Sequence, residues 1–305
     1  MKLLFRQKFQ RRTTTLLKKA GLFQFNLNED FNFKMMGVIN ITPNSFSDGG
    51  KFTDLSSIQA QINLFRKYNC KYFDFGAESS APFNKAISRE EELERLGPLF
   101  ELIREGEFKE DEILSFDTYK IETFREAISL IRDLGLRNKV IFNDVSGSLD
   151  SEVFSLMHEF EFDYVYSHCL VPDRAETLKH MSFLSEKVDL CNYFERARKE
   201  FSRRGLLERV IFDPCFGFSK TAEQNLELIE NIESWIGSGD RWLLGISRKS
   251  FLRGLSISDK RDEQFLFSEL LHSQILVNWM NKLQESEVLI RLHDPKVFQS
   301  ALLVK

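Results

Sequence analysis

Met36–Gly50 reads MGVINITPNSFSDGG: an apolar run ending at Asn40, a break at Thr42-Pro43, then a polar loop closing on Gly49-Gly50. A buried strand that delivers a polar side chain into a long loop has the form of an active-site floor with its lid. Seven later segments repeat the first half of that form. The strand-like runs are Met35–Asn40, Tyr72–Phe75, Ile113–Phe116, Val140–Phe142, Tyr164–Tyr166, Val210–Phe212, Trp242–Ile246 and Val288–Leu292. Each is short and mostly apolar at successive positions, as expected of strands covered on both faces of a parallel sheet.

Between these runs lie amphipathic stretches of helical length: Ser56–Tyr68, Ser88–Glu105, Ile121–Leu134, Ser151–Glu159, Glu186–Arg204, Ala222–Ser234, Asp262–Asn281 and Pro295–Leu303. Ser56-x-x-Gln59 and Ser88-x-x-Glu91 have the form of capping boxes. Asp294-Pro295 sets an N-cap before a first-turn proline. Strand and helix alternating in this way predict an α/β protein, a (β/α)8 TIM barrel. An open doubly wound sheet would want a GxGxxG turn after an early strand, and the sequence has none. The domain is placed at 29–305, behind a basic extension at 1–28. The alternation of Phe23–Lys34 around Asn28–Asp30 predicts a short hairpin plugging the N-terminal end of the barrel.

Composition narrows the function. The chain has 305 residues, 42% hydrophobic and 29% charged, with net charge −4. That is a globular composition without the basic footprint of a nucleic-acid binder. No apolar run reaches membrane-spanning length. Cys70, Cys169, Cys191 and Cys215 have neither zinc-knuckle nor CxxC spacing, which predicts reduced thiols. The first acid is Glu29, after seven Lys and Arg residues. This start reads as a solvated extension, though it also has the composition of an organellar transit peptide. The 30 Phe residues are expected to fill core positions.

In such a barrel the site lies at the C-terminal strand ends. Those ends carry Asn40, Glu78, Asp117, Asn143-Asp144, His168, Asp213, Ser247-Arg248-Lys249, Arg291 and His293. Carboxylates suit a ligand edge rich in N–H donors, and the cations with the Asn40 amide suit an anion such as a phosphate. Singly, several have plainer readings. Asp117 could cap the helix at Ile121, and His168 could be a satisfied structural histidine. His158, His180 and His272 fall inside helical segments.

Seven segments together resemble the signatures of dihydropteroate synthase: MGVINITPNSFSDGG, FGAESSAP (Phe75–Pro82), SFDTYK (Ser115–Lys120), FNDVSG (Phe142–Gly147), FDPCFGFSKTAEQNLELI (Phe212–Ile229), GISRKSF (Gly245–Phe251) and IRLHD (Ile290–Asp294). They fall in family order from about residue 35 onward. The resemblance implies a transferase of folate biosynthesis that condenses 6-hydroxymethyl-7,8-dihydropterin pyrophosphate with p-aminobenzoate. It implies catalytic roles for Asp117, Asp213 and Lys249, and pterin contacts from these three with Asn143 and Arg291. It also implies pyrophosphate contacts from Asn40, Arg291 and His293, with Asn40 on a Mg2+ ion. Phe46, Asp48, Ser80, Pro82, Phe218 and Ser247 would form the p-aminobenzoate side. A homodimer, joined through C-terminal helices, is implied as well; a cytoplasmic location is expected instead from the missing secretory signal. Ala81 stands where the family carries Arg, Asn44 where Asp is usual, and Cys215 where Gly is usual. Two other readings follow from these departures and from the fold: a pterin-binding paralogue without synthase activity, and a methyltetrahydrofolate–corrinoid methyltransferase.

Overall fold

The computed structural model describes residues 32–42, 55–79, 85–237 and 239–304. The turn of the expected hairpin at Asn28–Asp30 and the basic extension lie outside these residues, while Phe33 and Lys34, read as the end of its second arm, belong instead to the first barrel strand, paired in parallel with Val288 and Leu289. Eight strands form a closed, all-parallel barrel in chain order. They are β1 (Phe33–Asn40), β2 (Tyr72–Gly76), β3 (Ile113–Asp117), β4 (Val140–Asp144), β5 (Asp163–Ser167), β6 (Val210–Asp213), β7 (Arg241–Leu244) and β8 (Glu287–Leu292). β1 pairs with β8 from Phe33↔Val288 to Gly37↔Leu292, which closes the ring.

The doubly apolar strands divide into two cores. Met36, Ile141, Val165, Ile211, Leu243 and Leu289 form one cluster that fills the barrel. The alternate residues, Phe73, Phe75, Phe116, Phe142, Tyr164 and Phe212, belong to the larger cluster between sheet and helices. Much of the phenylalanine content is used there. Phe124 stacks on Phe142 at 4.3 Å between ring centroids, and Phe162 packs edge-on against Phe124 at 4.8 Å. A slip of one residue would exchange these two faces, so the alternation holds the register.

The helices are α1 (Leu55–Arg66), α2 (Arg89–Arg104), α3 (Ile121–Asp133), α4 (Ser151–Glu159), α5 (Leu190–Arg203), α6 (Ala222–Glu230), α7 (Ser250–Arg253), α8 (Arg261–Lys282) and α9 (Pro295–Val304). Several limits differ from expectation. Ser56 lies inside the first turn of α1 rather than at its cap, and the Gln59 amide donates to Glu107 instead of closing a box. Ser88 does cap α2, accepting from the Glu91 N–H, while the Glu91 carboxylate turns to Arg95. The complete box is at Thr221 and Gln224. α5 starts at Leu190 because Asp189 accepts the Asn192 N–H and sets the first turn there. α6 ends at Glu230, and Ile232–Ser234 continues only as a 3-10 turn. β7 stops at Leu244, so Gly245 and Ile246 belong to the loop that carries Ser247. All four cysteines are free thiols. No described helix is long and apolar enough to cross a membrane.

Candidate active site

Strand alternation points every second residue into the barrel. Above the apolar plug, this puts Asp74, Ser115, Asn143 and Arg291 in one layer. Asp74 is its centre and is fully buried. Its carboxylate accepts from Arg291 Nε at 2.6 Å, from Ser115 Oγ at 2.6 Å, and from Asn143 Nδ2 at 3.1 and 3.2 Å. Arg291 Nη2 donates to Asp117 Oδ2. One guanidinium therefore joins two carboxylates, and the geometry explains why Gly76 ends β2. A Cβ there would stand 3.3 Å from Asp117 Oδ2.

Asp117 and Asn143 are register partners on β3 and β4. Asp117 faces the barrel mouth and Arg291, and the cap of α3 at Lys120 makes no side-chain bond, so the capping role considered above does not hold. Burial pushes the Asp117 carboxyl up, with Arg291 opposing and Asp74 adding to the rise. Asn143 spends its amide N–H on Asp74, and its Oδ1 is buried with no hydrogen-bond partner among the described residues. Such an orphan acceptor is costly unless something donates to it.

Asp213 ends β6. Its Oδ1 accepts the Cys215 N–H at 2.6 Å. Burial pushes its carboxyl up to about 6, against the pull of that N–H, Lys249, Arg291 and Lys220. The loop that follows turns through the left-handed region at Cys215 (φ 51), Gly217 (φ 86) and Ser219 (φ 49). Glycine suits that region and cysteine strains it, so the Cys215 departure is a strained one. Gly217 also leaves room for Lys249, whose Cδ would stand 3.4 Å from an added Cβ. The Lys249 Nζ lies 5.0 Å from the centroid of the Phe218 ring, and the other ring partner of Phe218 is His180, stacked at 3.9 Å. Burial lowers the Lys249 ammonium from its usual value.

Ser247 Oγ accepts the His293 backbone N–H at 3.2 Å and lies 3.0 Å from His293 Nδ1. That N–H takes one lone pair, and the hydroxyl keeps a proton it can give to Nδ1; in the tautomer that accepts it, His293 carries its own proton on Nε2, where it can meet an oxyanion. Burial and the nearby Arg248, Arg291 and Lys249 hold this imidazole neutral. Ser247 is thus tied to the His293 side of the mouth. Asn40 ends β1 beside Gly76. Phe46, Asp48, Ser80, Pro82 and the Asn44 and Ala81 departures lie outside the described residues.

His168 is buried against Lys220 rather than turned to the mouth, with Tyr193 at 4.4 Å. His180 and His272 are buried and His158 is exposed. Reading strand ends alone passed over Asp74, which sits mid-strand between Phe73 and Phe75. It also left Glu78 without a role. The Glu78 carboxylate accepts the Ile87 N–H at 2.9 Å and the Tyr119 hydroxyl at 3.3 Å, and pairs with Lys120. It thereby ties together the two feet of the loop after β2 and the loop after Asp117.

The Asp213 titration sets a pH dependence. A neutral carboxyl cannot accept a pair of N–H bonds as a carboxylate does. Affinity for an N–H-rich ligand edge is expected to rise as pH climbs through about 6 and to go on rising as the Asp117 carboxyl, pushed up to about 7, loses its proton, as calorimetry across that range would register. A flat profile would remove Asp213 from the ligand contacts. The stability sign is opposite. The folded chain keeps this proton when the unfolded chain has lost it, so the contribution of Asp213 to stability falls from about pH 4 to about pH 6.

The family profile described as pterin binding enzyme matches residues 36–274. A dihydropteroate synthase of Streptococcus pyogenes is 31% identical over 228 residues, covering 74% of this chain and 79% of that one. The fold is that of a Clostridium difficile dihydropteroate synthase solved in the presence of pteroic acid, at a TM-score of 0.71 and 23% identity over 90% of this chain and 97% of that one. The Thermus thermophilus dihydropteroate synthase is 26% identical with a TM-score of 0.64 over 89% of this chain. It has been solved with 4-aminobenzoate and with 6HMPPP, with 92% and 91% of those chains covered. The chain belongs to the dihydropteroate synthase family of pterin-binding enzymes.

Proposed function

We propose that this protein is a transferase that joins 6-hydroxymethyl-7,8-dihydropterin pyrophosphate to p-aminobenzoate in folate biosynthesis. The observation that carries the reading is the buried, unpartnered Asn143 Oδ1 in a mouth that also holds the Asp117 and Asp213 carboxyls. Three acceptors at one mouth suit a flat ligand edge with several N–H donors, and a pterin ring supplies one. Asp213 would take the 2-amino and ring N–H pair. Asn143 and Asp117 would take further ring N–H groups, with Lys249 on the carbonyl side. Arg291, His293 Nε2–H and Asn40 would receive the pyrophosphate. Phe218, with Phe46, Asp48, Ser80 and Pro82, would form the p-aminobenzoate side, and Ser247, bonded to His293, would join that side to the pyrophosphate.

In the reaction the C–O bond to pyrophosphate breaks and its electron pair leaves with the pyrophosphate. The lone pair of the aromatic amine forms the new C–N bond, and the amine releases one proton. Positive charge developing on the pterin methylene would be stabilised by the two fixed carboxylates. Arg291 already bridges Asp74 and Asp117, so its orientation is set before substrate arrives, which limits the reorganisation needed.

A Mg2+ ion fits the donor set. Asn40 offers a hard amide oxygen at the rim. Among the described residues no group of three or more His, Cys, Asp and Glu could hold a metal. None is required, because this ion usually keeps several waters and takes its other oxygens from phosphate. When bound it would neutralise charge on the leaving pyrophosphate. A homodimer is supported by the exposed Leu266, Phe267 and Leu270 on α8, whose Leu276, Trp279 and Met280 are core residues. We also propose a cytoplasmic location for the enzyme.

Purified protein is expected to release pyrophosphate only when both substrates are present, as a coupled pyrophosphate assay would read. A folded protein that binds the pterin pyrophosphate but gives no turnover with p-aminobenzoate would overturn the synthase reading.

A further inference from the structure

Lys220 takes no part in the ligand contacts above, yet its side chain is almost wholly buried, at 1% exposure. It closes the loop that runs from Asp213 to the N-cap of α6. Its ammonium lies 2.8 Å from His168 Nδ1, 3.0 Å from the Phe218 carbonyl, 3.3 Å from the Cys215 carbonyl and 3.4 Å from the His168 carbonyl. An ammonium has three donors and no acceptor, and every neighbour named is an acceptor. The loop is therefore wrapped round a fixed cation, as loops elsewhere wrap round a metal ion. The backbone needs such a centre. Cys215 and Ser219 hold left-handed conformations that non-glycine residues adopt only when their surroundings impose them.

What the loop carries gives the cation its consequence. The Cys215 N–H orients Asp213 at 2.6 Å, and the Phe218 ring faces Lys249. The Cys215 and Phe218 carbonyls that Lys220 gathers belong to the same two residues. On the other side, the His168 N–H donates to the Asp213 carbonyl at 2.8 Å. Lys220 thus grips the loop and the end of β5 that flanks Asp213.

We propose that Lys220 is a positioning residue for pterin binding: its ammonium draws the Cys215 and Phe218 carbonyls against His168 and so fixes the Asp213 carboxylate and the Phe218 ring. The proposal rests on Asp213 being a pterin contact. A lysine that served stability alone would lower the melting temperature when removed and leave the affinity of the folded protein unchanged.

The test is a double-mutant cycle read by calorimetry with 6-hydroxymethyl-7,8-dihydropterin pyrophosphate. Lys220→Met keeps the unbranched chain and removes the charge. It is expected to weaken binding about tenfold, because the Asp213 carboxylate loses the orientation on which its charge-assisted contact with the ligand depends. In the Asp213→Asn background it should cost little more, because both changes act through one carboxylate. Unchanged affinity in folded Lys220→Met, or losses that multiply in the double variant, would overturn the proposal. Should Lys220→Met fail to fold, His168→Gln removes the imidazole acceptor while keeping the ammonium, and the same non-additivity with Asp213→Asn is required of it. A second readout needs no ligand. The Cys215 amide proton resonance should lie downfield in the parent protein and move upfield in whichever of these variants folds; an unmoved resonance counts against the proposal. If the parent protein does not bind the pterin, the functional reading fails, and the amide resonance alone decides whether Lys220 sets the loop.

Discussion

Asp213→Asn is expected to weaken pterin pyrophosphate binding by about tenfold to a hundredfold while leaving the fold as stable as before. The substitution conserves shape but replaces one acceptor oxygen with an NH2 donor. Facing two N–H groups of the ligand, that amide makes one bond and one clash of donors. A hydrogen bond to a charged acceptor contributes about 1.5–3 kcal/mol, which converts to the range above. Stability behaves differently because Asp213 is buried and its carboxyl is already pushed up to about 6. Near neutral pH the native protein bears the cost of an ionised group in a poorly solvated place, and Asn relieves it. Calorimetry and thermal melting of the same sample separate the two quantities. Binding that stays intact would remove the carboxylate from the ligand contacts.

Asp74→Asn should show the reverse emphasis, with lost stability first. The Asp74 carboxylate is fully buried and holds Arg291, Ser115 and Asn143 at once. Removing its charge leaves Arg291 with Asp117 alone, and breaking one side of a buried ion pair costs about 3–5 kcal/mol. The urea midpoint should fall accordingly. Catalysis should fall as well, since Arg291 and Asn143 lose the group that orients them. A variant as stable as the parent would mean that Arg291 finds another partner, and that Asp74 is not the centre of the buried polar layer.

These two carboxylates also show how far the sequence could be read. Asp213 was legible because it ends an apolar run, and in a parallel barrel the ends of such runs converge. Asp117, Asn143, Arg291 and His293 were legible on the same ground, and the structure gathers them at one mouth. Asp74 was missed because it lies inside YFDFG, where a search of strand ends does not look. Its signal was present nonetheless. An acid between two phenylalanines on a strand covered on both faces has no water, so it needs a buried cation, and Arg291 on the inward face of β8 was available. Helix limits were less legible. Asp189 and Thr221 act as caps through bonds that depend on the φ and ψ of a single residue, and periodicity does not register those. Nor could the sequence distinguish Ser56 within a first turn from Ser56 before it.

The three tryptophans of the chain are gathered on one side of the barrel. Trp235 packs edge-on to Trp242 at 5.5 Å, and Phe216 stacks on Trp279 at 6.0 Å and meets Trp235 at 6.3 Å. Phe216 lies in the loop between Asp213 and Phe218. The intrinsic emission of this protein is therefore a local optical reporter, and it views the wall behind that loop. Ligand entry that shifts Phe216 would alter the emission spectrum without any label, whereas events near β2 and β3 would leave it dark.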